Sequence, residues 1–276
     1  MDSGPVDPGD VARNVEVLAE MSARLIGPVC ALAISGVEGS FKLSRGSLLA
    51  NRLMLGVSRA DVPDEAILRV LPSLGVPAEY LAEIGRGITE ANLVLFGFED
   101  AAGDGSYRLY LEFWDAVAAA VRGGNRAPTR LYLGFKWSAS TGAKLAVTDY
   151  RCFPLLTPEE MSGRLDQLYR ESPGSRTRAI VDAIVGAALA RSPRLVYVEG
   201  EEAGSTRRSF DVRLYEADLK IGEVVGDLVK ARDLFAVPTD RFDRLIKIIG
   251  GKTLGHISAG TGRDGREFLT IYYDAE

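Results

Sequence analysis

Residues 106–114 read SYRLYLEFW. Extended as a strand, this stretch puts Arg108, Tyr110, Glu112 and Trp114 on one face and Leu109, Leu111 and Phe113 on the other. The tripeptide Arg-Leu-Tyr returns in RLYLGFKW from Arg130 and in RLYEA from Arg213. Each time an aliphatic face opposes one that carries Arg, Tyr and further charge. The aliphatic face asks for helices, and the polar, aromatic face asks for a different cover.

Working outward, this strand belongs to one of five hairpins. VEGSFKLS (37–44) and SLLANRLMLGVS (47–58) flank a turn at Arg45-Gly46, and NLVLFGFED (92–100) joins SYRLYLEFW through AAGDG, whose Asp-Gly is a hairpin signal. TRLYLGFKWS (129–138) pairs with KLAVTDYRCF, RLVYVEGEE with RRSFDVRLYEA, and KTLGHISAG with REFLTIYYDAE. Between the hairpins, apolar residues recur at helical spacing over 11–25 with Asp10 as N-cap, 64–74 interrupted by Pro72, 77–88, 115–122, 158–172, 176–192, 219–237 and 239–249. Thr157 and Glu160 have capping-box spacing, and Thr239 caps the last helix. PVCALAIS (28–35) reads as either strand or helix. No linker interrupts the series, so residues 10–276 form one domain after a disordered lead-in at 1–9.

Composition narrows the function classes. The chain has 276 residues, is 46% hydrophobic and 26% charged, and carries a formal net charge of −5, which suits a globular protein with a sizeable core and argues against nucleic acid as partner. Two cysteines and a single histidine exclude a Cys/His zinc site and argue against a disulfide framework. The acidic start MDSGPVDPGD is the opposite of a signal peptide, and no apolar run reaches the roughly 20 residues that span a membrane. A cytoplasmic location, with no membrane partner, is expected.

Ten strands in sequential hairpins can close into a barrel, which removes sheet edges and turns the polar faces into a lumen. Left open, Tyr110, Trp114, Tyr132, Tyr215 and Tyr272 would form a large exposed patch. A ten-stranded barrel is wider than the eight-stranded kind that side chains fill, so it has room for a ligand. If the Arg-Leu-Tyr phase points inward, Arg52, Arg108, Arg130, Lys136 and Arg213 gather inside with Lys42. Such a cluster suits an anion such as a diphosphate, and nearby aromatic faces can stabilise a carbocation. Anion at one end and carbocation at the other is the chemistry of allylic diphosphate ionisation.

VEGSFKLSRGSLLANRLML (37–55) resembles the first hairpin of the cyanobactin-type peptide prenyltransferases in the αββα (ABBA) prenyltransferase-barrel superfamily, with a Glu, a Ser and a Lys on the first strand and an Arg in the second. That spacing falls on Glu38, Ser40, Lys42 and Arg52. GVPAEYLAEI, the second hairpin and GREFLTIYY are similar in kind and order, so the resemblance spans nearly the whole chain.

The resemblance implies an α+β fold, a ten-stranded antiparallel barrel of five αββα-type repeats with helices outside. It implies transfer of a dimethylallyl or geranyl group from its diphosphate to a nucleophilic side chain of a ribosomally made, macrocyclic peptide, with Mg²⁺ accompanying the donor, in a monomer or weak homodimer. Glu38 would be the general base. Arg52, Arg108, Lys136, Arg213 and Lys42 would bind the diphosphate with Tyr110, Tyr150, Tyr215 and Tyr272, which also shield the allyl cation, while Phe96, Glu112 and Trp114 would shape the prenyl and acceptor pocket. No metal ligand is assigned to a side chain, since the chain lacks the Asp-Asp-x-x-Asp cluster of the helical prenyl synthases. A free aromatic acceptor such as tryptophan, or a non-catalytic barrel holding an anionic lipid or metabolite, are the alternatives. His256, in LGHISAG, is expected to be structural, Cys30 and Cys152 to be buried thiols, and GGK at 250–252 to be a helix end.

Overall fold

The computed structural model describes residues 20–100, 105–172 and 176–274. The lead-in at 1–9, residues 11–19 of the first helix with the Asp10 cap, most of the AAGDG turn and the Pro173-Gly174 break lie outside the described residues. Helix α1 (Glu20–Cys30) runs through Pro28, so the ambiguous 28–35 stretch is a helix end followed by coil.

The first hairpin is β1 (Gly36–Ser44) against β2 (Ser47–Leu49) and β3 (Arg52–Ser58), two pieces that both pair with β1. The expected strand 47–58 is thus one barrel strand broken at Ala50-Asn51. After α2 (Asp64–Val70), a 3₁₀ turn at Leu71–Leu74 and α3 (Ala78–Gly87) come β4 (Leu93–Glu99) and β5 (Ser106–Glu112). Then follow α4 (Trp114–Arg122), β6 (Thr129–Ser138), β7 (Lys144–Cys152), α5 (Pro158–Arg170) and α6 (Arg178–Leu189). The chain ends with β8 (Val196–Glu201), β9 (Arg208–Arg213), 3₁₀ turns at Tyr215–Ala217 and Ile221–Val224, α7 (Val225–Leu234), α8 (Thr239–Ile249), β10 (Leu254–Thr261) and β11 (Glu267–Asp274).

Neighbouring strands pair antiparallel throughout, and β11 pairs back onto β1 from Glu38↔Asp274 to Ser44↔Phe268. The result is a closed ten-stranded antiparallel barrel with helices outside, as the hairpin series predicts. The capping box at α5 is present: Thr157 Oγ1 accepts from the Glu160 amide at 3.2 Å and Glu160 Oε2 from the Thr157 amide at 2.8 Å. At α8 Pro238 takes the cap position and Thr239 is the first helical residue. Among the described residues no helix is long and apolar enough to cross a membrane.

The outward faces supply the core. Leu53, Leu55, Phe96, Phe98, Leu109 and Leu111 are buried beneath α1, α2 and α3, while Phe41, Phe210, Val212, Ile257 and Ile271 are buried beneath α5 to α8. Each such side chain contributes about 1.5–3 kcal/mol by leaving water, and this closes the barrel with its polar faces inward. Strict alternation fails at three register shifts: β6 against β7 between Arg130 and Tyr132 and again between Lys136 and Trp137, and β10 against β11 between Leu254 and His256. An extra residue in one strand reverses the phase beyond it.

Candidate functional site

Inside the barrel is a cavity of about 610 Å³. Its character changes along the axis because inward positions on adjacent strands stack into layers.

At the hairpin end, Glu99 at the end of β4 touches three cations: Arg52 Nε at 3.1 Å, Arg108 Nη2 at 2.8 Å and Lys136 Nζ at 3.1 Å. Arg52 also reaches Thr270 Oγ1 at 3.4 Å, and Lys42 lines the same wall. One carboxylate cannot neutralise so many cations, and the charges show the strain. Burial pulls Lys136 down to about 7, helped by repulsion from Arg108 and opposed by Glu99. Burial likewise pulls Lys42 down to about 8. Glu99, against the cost of burial, is held well below the usual carboxylate range by Arg108, Arg52 and Lys136. Arg207, from the β8–β9 turn, adds a further cation beside Tyr150 Oη at 3.5 Å and Thr148 Oγ1 at 3.4 Å; its counter-charge is Glu202 at 3.6 Å, which Arg263 shares at 2.5 Å. The Nε of Arg108 is buried without a hydrogen-bond partner, and the contact of Arg52 Nε with Glu99 lacks hydrogen-bond geometry, so the cluster keeps donor capacity that an anion with several oxygens can use.

Midway, Tyr110, Tyr132 and Tyr150 pack ring against ring, with centroids 5.9 to 6.3 Å apart. Gly134 makes room for them, since a Cβ there would lie 2.8 Å from the Tyr110 ring and 3.1 Å from Tyr150. Tyr272 joins this belt, but the His256 ring lies flat on it at 3.9 Å and 6°.

At the far end Glu38 is the centre. Its Oε2 accepts from Tyr215 Oη at 2.6 Å and lies 2.9 Å from His256 Nε2, while His256 Nδ1 lies 2.6 Å from Asp211 Oδ2. Its other oxygen, Oε1, is buried without a hydrogen-bond partner. Burial raises the Glu38 pKa, yet His256, Tyr215 and Arg213 outweigh it and the net shift is downward. Burial together with Glu38 pushes the Tyr215 phenol far above its ordinary value.

Several expected site residues lie elsewhere. Phe96 is outward, in the core under the helices, because β4 turns Leu93, Leu95, Gly97 and Glu99 inward. Trp114 opens α4 instead of ending β5; it is 38% exposed and stacks on the Arg213 guanidinium at 5.5 Å. Arg130 is turned out by the β6 bulge and pairs with Asp149 at 2.8 Å. Arg213 belongs to the Glu38 end, where Nη1 donates to Tyr132 Oη at 3.1 Å and Glu112 Oε2 lies 3.7 Å away. Tyr215 reaches Glu38 from a 3₁₀ turn, since β9 stops at Arg213. Cys152 is buried and Cys30 half-buried, and Gly250 caps α8.

Sequence reasoning missed Glu99, Arg207, Asp211 and the site role of His256. Alternation from Leu93 reaches Glu99, and alternation from Arg213 reaches Asp211, so those signals were there. Arg207 sits in a turn and His256 beyond a bulge, where alternation carries no information.

No protein-family model and no curated protein matches the sequence. Solved structures do match. The 6-dimethylallyltryptophan synthase of Micromonospora olivasterospora in complex with DMASPP and Trp is 14% identical, with a TM-score of 0.63 over 97% of this chain and 95% of that one. NotF in complex with brevianamide F and DMSPP is 11% identical, with a TM-score of 0.60 over 97% and 92%. AnaPT from Neosartorya fischeri is 10% identical, with a TM-score of 0.56 over 97% and 91%. At such identity the likeness establishes architecture: the chain has the αββα prenyltransferase-barrel fold.

Proposed function

We propose that the protein is a prenyltransferase that ionises an allylic diphosphate, dimethylallyl or geranyl, and alkylates an aromatic acceptor. One observation carries the reading: a single lumen joins an under-neutralised cation cluster, a tyrosine belt and a buried carboxylate with an unpartnered oxygen. Arg52, Arg108, Lys136, Lys42 and Arg207 take the diphosphate and the negative charge that grows as the C1–O bond breaks. Tyr110, Tyr132 and Tyr150 face the allyl cation and exclude water, each contact contributing about 0.5–2 kcal/mol. Tyr272 is a poorer shield than its position suggests, because a histidine ring already covers one face. Glu38 Oε1 accepts the N–H or O–H of the acceptor and takes its proton as the new bond forms. A pure anion binder has no use for that carboxylate.

Mg²⁺ would have to be held by the diphosphate itself, since Glu99 is committed to three cations and the described residues include no cluster of three His, Cys, Asp or Glu suited to a metal. No step above passes through a metal. The cavity of about 610 Å³ has room for a donor and one aromatic ring. An acceptor peptide, the class implied by the sequence resemblance, therefore enters by one side chain, with Trp114, Arg213 and Glu112 at the entrance; free tryptophan is the second reading, supported by the Trp bound in the Micromonospora olivasterospora structure.

The test is mass spectrometry after incubation with Mg²⁺, dimethylallyl and geranyl diphosphates, tryptophan, tyrosine, and linear and cyclic peptides bearing Trp or Tyr. One added prenyl mass, abolished in Glu38→Gln and Arg108→Ala, supports the reading and identifies the acceptor. Tight diphosphate binding without transfer to any acceptor would overturn it in favour of a binding barrel.

A further inference from the structure

A base that serves an acceptor must present a defined lone pair, and Glu38 is held from one side only. We propose that His256 is a positioning residue of the transfer, an imidazolium clamped between Glu38 and Asp211 that occupies Glu38 Oε2 and so presents Oε1 to the acceptor. The inference rests on the prenyl-transfer reading above.

The geometry leaves the ring little choice. Nε2 lies 2.9 Å from Glu38 Oε2 and Nδ1 lies 2.6 Å from Asp211 Oδ2. A neutral imidazole has one N–H and one lone pair, and that lone pair would face a carboxylate oxygen; only the doubly protonated ring satisfies both contacts. Burial alone would pull the ring's pKa down, but Asp211 and Glu38 push it up to about 10. Further charged or titratable groups around this pair are Arg213 from β9, Tyr132 from β6, Tyr215 from the 3₁₀ turn, and Tyr272 and Asp274 from β11. Arg213 is the one further cation among them, so removing the imidazolium leaves Glu38 and Asp211 as neighbouring like charges.

The same contacts decide between a clamp and a relay. Both ring protons are already donated, so His256 cannot accept one from Glu38. In the balanced step the acceptor ring attacks C1 of the prenyl group, the C1–O electron pair leaves with the diphosphate, and the acceptor's N–H or O–H proton ends on Oε1. His256 changes neither bond nor charge during that step; it fixes which oxygen is the base and keeps it ionised beforehand.

One residue builds the arrangement. Leu254 pairs with Tyr273 in the outer core, whereas His256 pairs with Tyr272 in the lumen, so Gly255 is the extra residue of the bulge. Without that bulge Leu254 and His256 would share a face. A Cβ on Gly255 would also collide with the Tyr215 ring, so the glycine admits the second donor to Glu38 Oε2.

Because the chain holds one histidine, ring ¹⁵N NMR of the whole protein reads His256 without assignment. The expected wild-type signal is that of an imidazolium from pH 6 to 9, with the titration moved to lower pH in Asp211→Asn. Transfer from dimethylallyl diphosphate is then followed against pH, with tryptophan and with Trp- and Tyr-bearing cyclic peptides as acceptors. His256→Gln is expected to lower kcat about 10²-fold and to move its acid limb up by roughly one to two pH units, while pyrophosphate affinity stays within twofold; Asp211→Asn, whose ring is still charged at acid pH, is expected to leave that limb at or below its wild-type position. If His256→Gln does not fold, the ring ¹⁵N titration of the wild type and of Asp211→Asn still decides whether Glu38 faces an imidazolium. A ring that titrates near its ordinary value in an active wild-type enzyme, or a His256→Gln variant that folds and keeps the wild-type limb, overturns the clamp alone. A charged ring in a protein that transfers to no acceptor overturns the transfer reading, and the proposed role with it.

Discussion

The cation end should bind its ligand together with protons. Ligand-free, Lys136 is pulled down to about 7 and Lys42 to about 8, so at pH 9 roughly one Lys136 in a hundred and one Lys42 in ten is charged. A diphosphate in the cluster restores the charge on both. Recharging them at pH 9 costs about 2.7 and 1.4 kcal/mol, so affinity should fall by up to about 10³ between pH 6 and pH 9 if both ammonium groups are needed. The ligand alone would give the opposite trend, because phosphate groups with a second pKa near 6 only gain negative charge as pH rises. Isothermal titration calorimetry with inorganic pyrophosphate, in two buffers of different ionisation enthalpy, measures affinity and proton uptake together. Weakening toward pH 9 with uptake approaching two protons is expected, and Lys136→Gln should leave about the tenfold dependence that belongs to Lys42. Affinity that is flat or rises with pH, with no proton taken up, would refute the account of the cluster.

Removal of the shared carboxylate in Glu99→Gln leaves Arg52, Arg108 and Lys136 facing one another in a buried site, a change that costs about 3–5 kcal/mol. The thermal midpoint should drop, and saturating pyrophosphate should recover most of the loss because it binds only the folded state; a drop that the ligand does not correct would mean that Glu99 holds the fold by other contacts. Gly134→Ala places a methyl group 2.8 Å from the Tyr110 ring and should disturb the belt between donor and acceptor. Product analysis is expected to show transfer falling relative to hydrolysis of the donor, with pyrophosphate affinity unchanged; an unaltered ratio would separate the tyrosine belt from control of the cation.

The hairpin series and its closure were legible because they rest on local signals: turn residues, period-two alternation and amphipathic helices between the hairpins. The hairpin-end cations Lys42, Arg52, Arg108 and Lys136 were legible too, since Lys42 and Arg108 lie inside unbroken strand while Arg52 just follows a break and Lys136 just precedes a register shift, so the phase still holds at each. What alternation cannot report is a change of phase. The β6 bulge sends Arg130 out to Asp149, although it opens the second copy of the same Arg-Leu-Tyr tripeptide that places Arg108 and Tyr110 inside. The third copy fails differently, because β9 ends at Arg213 and Tyr215 continues into a 3₁₀ turn.

The same limit hid the partners of Glu38. His256 is the one titratable residue of β10, and read by simple alternation it shares a face with Leu254, which is fully buried under the helices. Only pairing across strands reveals that Gly255 is inserted and that the ring points the other way. The glycine was visible in the sequence, and a glycine inside a strand pattern is itself a sign of a bulge or of close approach. Here it is both: the inserted residue turns His256 inward and the missing Cβ admits Tyr215. The two contacts on Glu38 Oε2 therefore depend on one backbone irregularity, and the reactive end of the lumen is placed by the departure from the pattern that places the rest.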